Sequence, residues 1–275
     1  MKTQEGTLTG IGGVQRYYRG WLPDGEPKAT VVICHGINEH GGRYAHIAEF
    51  LAGRGYAVWA ADHRGHGRSE GIPGYVRRFD MYVEDMRTFV AHVEPPGKVF
   101  IYGHSMGALI TLGFATRFQD MIDGFIITGV ALSPGGAIPG WAVAAAKLMS
   151  ALAPKLSIQA LPGGTLSHDP AVEAQVEQDP LIHHGKISAR LGAEILRASD
   201  EARANLGKIT VPVLIMHGTA DSLVDPSGSQ EVYDAIGSAD KTLKWWEGMY
   251  HEVHNEPAVQ GEVLATAADW LDARL

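Results

Sequence analysis

Tyr102-Gly103-His104-Ser105-Met106-Gly107-Ala108 decides the fold. The stretch comes after the apolar run Val99-Phe100-Ile101 and precedes a helical pattern, Leu109 to Phe118. A Gly-x-Ser-x-Gly between strand and helix is the pattern of a nucleophile elbow, a turn so sharp that the backbone of its Ser is strained. Glycines two before and two after Ser105 prevent collisions because they carry no side chain. The strain lifts the Ser105 hydroxyl to the end of the sheet. The helix behind it aims unpaired N–H groups at any charge developing beside that hydroxyl. The competing reading is a tight packing turn in which Ser105 only caps the helix.

Working outward, Ala29 to Cys34 is a short apolar run of the kind buried on both faces. It leads into His35-Gly36-Ile37-Asn38-Glu39-His40-Gly41-Gly42-Arg43-Tyr44. Tyr44 to Arg54 predicts a helix, Tyr56 to Ala61 a strand, and Asp62 to Ser69 a polar, Gly-rich loop. Thr7 to Leu22 predicts an opening hairpin, antiparallel to the later strands. Tyr82, Met86, Phe89, Val90 and Val93 recur at helical spacing, with Asp80 as N-cap. After a strand from Gly124 to Thr128 the rhythm breaks. From Pro134 to Leu206 no strand-like run occurs, only helical stretches at Trp141 to Ala153, Asp169 to Gln178 and Ser188 to Asn205. Strands resume at Val211 to Met216 and at Thr242 to Trp246. Helices succeed them at Pro226 to Ile236 and from Pro257 onward. This alternation implies a mostly parallel sheet covered on both faces. The expected core comprises residues 1–133 and 207–275, with 134–206 a helical cap inserted at the carboxyl edge, where ligands bind in open α/β sheets.

Composition narrows the function. The chain has 275 residues and 45% apolar residues, enough for one large domain. Its net charge of −8 and the absence of a Lys/Arg block argue against nucleic-acid binding. One cysteine, Cys34, allows no internal disulfide. The first residues lack an apolar stretch, so no signal peptide is expected. No window approaches the ~20 apolar residues of a membrane span. These features predict a cytoplasmic protein, peripheral at membranes at most. Monomer and homodimer are both left open. Among thirteen histidines the nearest pairs are His63 with His66 and His183 with His184. Neither lies in a metal-ligand motif, so no metal is expected.

A Ser hydroxyl needs a base to take its proton and an acid to orient the base. The hydrolase order is Ser, acid, His. Asp221 and His251 each lie in a loop straight after a strand, at the edge where Ser105 sits. Asp225 adjoins a helix start and reads as an N-cap. His254 is further from the last strand than His251, and His217 reads as packing. The N–H groups of Met106 and Ile37 are the expected oxyanion donors.

These residues resemble the monoacylglycerol lipases of the α/β-hydrolase fold, a group also described as lysophospholipase-like or serine aminopeptidase S33 hydrolases. The motifs run from end to end: His35 to Tyr44, Asp62 to Ser69, Gly103 to Gly107, Leu132-Ser133-Pro134, Asp179-Pro180-Leu181, His217 to Asp221 and Tyr250 to Glu256. The bacterial members are the most similar, through Gln178 to Gly185. The resemblance implies a mostly parallel eight-stranded sheet flanked by helices, and the triad Ser105, Asp221, His251. It implies Ile37 and Met106 as oxyanion donors and no cofactor. It implies that Glu39, Arg43 and His254 shape a pocket for glycerol hydroxyls, although Glu39 and Arg43 also suit a simple bracing pair. Trp141 to Leu152 then resembles a lid helix, with Leu148 and Leu152 facing lipid substrate or a membrane surface. The expected activity is hydrolysis of a lipid ester, most concretely a monoacylglycerol, to fatty acid and glycerol. Alternatives are a lysophospholipase, a general carboxylesterase, an acyltransferase, or a non-catalytic binding protein on the same scaffold.

Overall fold

The computed structural model describes residues 1–93, 97–133, 148–159 and 165–275. Eight strands form one sheet: β1 (Lys2–Thr9), β2 (Gln15–Leu22), β3 (Ala29–Cys34), β4 (Ala57–Ala61), β5 (Lys98–His104), β6 (Gly124–Thr128), β9 (Val213–Gly218) and β10 (Lys241–Trp246). Their order is β1-β2-β4-β3-β5-β6-β9-β10. Only β2 runs against the others; in that order, β4 through β10 pair in parallel. β3, β4, β5 and β6 are apolar without alternation because both faces are covered. One face packs on α2 (Asp80–His92), α3 (Met106–Phe118) and α5 (Ala189–Asn205), burying Phe89, Leu109, Phe114 and Leu191. The other packs on α1 (Ala45–Gly53) and α7 (Gln260–Asp272), burying Ile47, Leu51, Val263 and Leu271. Further helices among the described residues include α4 (Pro170–Gln178) and α6 (Ser227–Ala235). Parallel strands share a direction, so the loops after β3, β5, β9 and β10 emerge at one edge.

Three local expectations change. Residues 134–206 contain strands after all: β7 (Ser157–Gln159) and β8 (Ile187–Ser188) pair antiparallel. They are too short for a sequence period to register. Asp80 is the first residue of α2 rather than its cap; the preceding Phe79 N–H is taken up by Glu194 of α5 at 2.9 Å. The last helix begins at Gln260, because residues 253–255 form a separate 3-10 turn. Residues 141–147, the first part of the expected lid helix, lie outside the described residues. Residues 148–152 are helical, with Leu148 61% and Leu152 77% exposed.

Candidate active site

The elbow has the strain its glycines predict. Ser105 adopts φ 54°, ψ −118°, in the left-handed half of backbone space. A Cβ at Gly107 would come within 1.9 Å of the Cys34 carbonyl oxygen, and one at Gly103 within 2.5 Å of Thr111 Oγ1. Only glycine lets α3 sit this close to β3. Ser105 Oγ makes no capping bond to α3, which removes the reading of Ser105 as a mere helix cap. The Ser105 N–H donates to the Thr128 carbonyl at 2.9 Å, tying the turn to the end of β6.

His251 stands at the same edge. Its ring lies 4.7 Å from that of His104 and against Gly129, one residue past the carbonyl that holds Ser105. His251 Nδ1 and Asp221 Oδ2 are 2.6 Å apart. The structure thus brings His251 and Asp221, the expected base and acid, into contact at the sheet edge that also carries Ser105. Among the described residues no hydrogen bond joins Ser105 Oγ to the His251 ring. In ligand-free hydrolases this bond is often long and tightens around substrate. Asp221 Oδ1 accepts the N–H groups of Leu223 (2.8 Å) and Val224 (3.1 Å). Burial pushes the Asp221 carboxyl up, but hydrogen bonds from His217 and His251 outweigh it and hold the group below the ordinary carboxylate range. Asp225, expected as the N-cap, lies one residue before the cap position of α6, which Pro226 occupies; its Oδ1 still accepts the Ser227 N–H of the first turn at 2.9 Å.

Gly36 lies against Ser105, whose Cβ would be 3.4 Å from a Cβ on that glycine. The Gly36–Ile37 peptide is held by His35: Nδ1–H donates to the Gly36 carbonyl at 2.8 Å. The other ring nitrogen of His35 accepts the His63 N–H at 2.9 Å, which fixes the tautomer. A trans peptide points its C=O and N–H oppositely, so anchoring the carbonyl aims the Ile37 N–H away from His35. Asn38 comes next at φ 63°, a conformation that Asn tolerates better than most residues.

Glu39 and Arg43 meet buried partners. Glu39 Oε1 accepts from the Gly36 N–H (2.5 Å) and the Tyr44 hydroxyl (2.6 Å). Arg43 bridges Glu39 Oε2 (2.5 Å) and both oxygens of Glu252 (2.7 and 2.8 Å). Burial raises the Glu252 carboxyl, and Arg43 more than reverses that, leaving it below the ordinary range. The His254 ring is 2% exposed, against His104, Tyr44 and Tyr102. Burial pushes it down to about 3, so it is neutral near pH 7. Two contacts escape sequence reasoning. Glu252 looks like a spacer between two histidines. His217, read as packing, sits 2.9 Å from Asp221. Its one signal is an imidazole near the end of an otherwise apolar strand.

A strained Ser, then an acid, then a His, each on a loop at the carboxyl edge of this sheet, is the arrangement of α/β-hydrolases. The protein is a serine ester hydrolase of that class. It belongs to the family described as serine aminopeptidase, S33, which matches residues 25–258. The chain is 36% identical to the monoacylglycerol lipase of Mycolicibacterium smegmatis over 274 residues, 98% of each chain. It is 34% identical to the monoglyceride lipase of Rattus norvegicus over 276 residues, covering 98% of this chain and 90% of the relative. The crystal structure of Paleococcus ferrophilus monoacylglycerol lipase has a TM-score of 0.86 and 29% identity over the full length of both chains. The resemblance carried by the motifs is thereby borne out.

Proposed function

We propose that the chain hydrolyses monoacylglycerols to fatty acid and glycerol through an acyl-enzyme on Ser105. The observation that carries the chemistry is the Asp221–His251 bond, formed beside the strained turn that presents Ser105. Lipases similar over nearly the whole chain support the substrate class. Ser105 Oγ attacks the ester carbonyl while His251 Nε2 takes its proton. Asp221 holds His251 Nδ1–H and so keeps Nε2 free to accept. The N–H groups of Ile37 and Met106 face the developing oxyanion. His251 returns the proton to the departing glycerol oxygen, and water repeats the sequence on the acyl-enzyme.

For Glu39, Arg43 and His254 the buried partners favour bracing of the Ile37 loop and the His251 loop over direct contact with the alcohol. Leu148 and Leu152 are proposed to meet acyl chains or a lipid surface, and 134–206 to form the cap around them.

A fluorophosphonate probe, followed by hydrolysis of monoacylglycerols of graded chain length, tests this reading. The comparison substrates are p-nitrophenyl esters, lysophosphatidylcholine and triacylglycerol. The expected result is one adduct, at Ser105, its loss in S105A, and the highest kcat/KM on monoacylglycerol. No adduct would defeat the triad. Preference for any comparison substrate would overturn the substrate assignment.

A further inference from the structure

Asp221 receives a second imidazole. His217, near the end of β9 and fully buried, places Nε2 2.9 Å from Asp221 Oδ2, the same oxygen that holds His251. Its Nδ1 lies 2.6 Å from the hydroxyl of Ser229 on α6, also fully buried. An unprotonated Nε2 would face a carboxylate lone pair with no proton between them, so the proton sits on Nε2. Ser229 then donates its hydroxyl to Nδ1, which fixes that tautomer. With the Leu223 and Val224 N–H groups on Oδ1, every oxygen of the carboxylate is pinned.

We infer that His217 is a positioning residue for the reaction: braced by Ser229, it donates Nε2–H to Asp221 and fixes the oxygen that His251 faces. This rests on the proposed roles of Asp221 and His251, and it concerns a residue outside the triad. The shared oxygen has two consequences. The carboxylate cannot rotate away when His251 swings between Ser105 and the leaving group. Part of its charge is also taken up by His217, so it pulls less strongly on a protonated His251. Removing the donor therefore strengthens that pull and favours the protonated, inactive base. The groups facing His217 are Asp221, Asp225, Ser229 and the ring of Trp245. Those facing His251 are Asp221, His104 and His254.

The test compares H217F and H217Q with the native enzyme, with pH profiles of kcat and kcat/KM on a soluble monoacylglycerol. H217F keeps a flat ring but no donor. It is expected to lower kcat about tenfold with KM within about twofold, and to move the acid limb of kcat/KM upward by about half to one unit. H217Q carries an amide N–H near the Nε2 position and should bring the limb back. S229A frees the tautomer without emptying the core, and should shift the limb in the same direction by less. If H217F folds poorly, S229A and H217Q keep the inference testable. A purely structural His217 would lower the yield of folded enzyme and leave the limb in place, and that result would overturn the inference. Should S105A or D221N retain full activity in the same assay, the triad reading fails instead.

Discussion

Ser105 occupies a backbone conformation that ordinary residues avoid, and the residues around it hold it there. Strain of this kind costs about 1–3 kcal/mol and persists only when neighbours overdetermine it. Gly107 is the neighbour that matters most, since the Cys34 carbonyl approaches within 1.9 Å of where its Cβ would be. That obstacle is backbone, not a flexible side chain. G107A should lower the unfolding free energy by at least about 2 kcal/mol in chemical denaturation and slow fluorophosphonate labelling of Ser105 more than tenfold. Gly53 is the control, because a Cβ there meets nothing within 4 Å. G53A should be neutral or slightly stabilising, and equal behaviour of the two variants would refute the packing argument. At this scale the sequence pointed to the Asp221–His251 contact, because each of the two residues carries its own chemistry in a recognisable frame. It offered His217 only as a packing residue and Glu252 no role of its own. Their roles depend on partners that folding brings near, Ser229 for one and Arg43 for the other.

Elements decide how the loops of the site are tied down. Helix α4 is fastened at both ends to the core. Before it, the Glu252 N–H donates to the Leu166 carbonyl (2.8 Å) and His168 meets Glu256. After it, Asp179 meets His40 (2.8 Å) and the His183 N–H donates to the Asn38 carbonyl (2.9 Å). The two attachment points are the loop that carries His251 and the loop that carries Ile37. The strands and helices of the core were legible because long apolar runs and helical periods extend over many residues. β7 and β8 were not, since two or three residues such as Ile187-Ser188 have no period and depend on a partner far along the chain. Within 148–152, Leu148 and Leu152 lie one helical turn apart and point the same way. At 61% and 77% exposure they leave apolar surface in water, the surface that the proposed lipid contact uses. L148S with L152S should lower turnover of dispersed long-chain monoacylglycerol several-fold and leave a soluble short-chain ester unaffected. Equal loss on both substrates would show that the pair serves the fold, not the lipid.

Across the whole molecule, the site is set in an interior rich in neutral imidazoles. His35, His63, His66, His104 and His254 are all buried, and burial pushes each ring below its ordinary range, to about 4 for His66 and about 3 for His254. His63 packs on His35, and His254 on His104, so the rings also discourage one another's charging. In the unfolded chain each would take a proton near pH 6.5. The folded protein therefore binds fewer protons than the unfolded one once pH drops below that value. Their contribution is fully present above about pH 6.5 and is lost as pH falls toward about 4 for His66 and about 3 for His254. Each ring withdraws up to about 1.4 kcal/mol per pH unit, against a total stability of about 5–15 kcal/mol for a typical domain. The contributions of Asp221 and Glu252, held below the usual carboxylate range, are lost later, as pH falls below that range. Thermal unfolding monitored from pH 8 to pH 4.5 should show a plateau above about 6.5 and a steep fall in Tm below it, before the carboxylates titrate. A Tm that stays level to pH 4.5 would mean that these rings accept protons in the folded state, and the interior would then be charged rather than neutral.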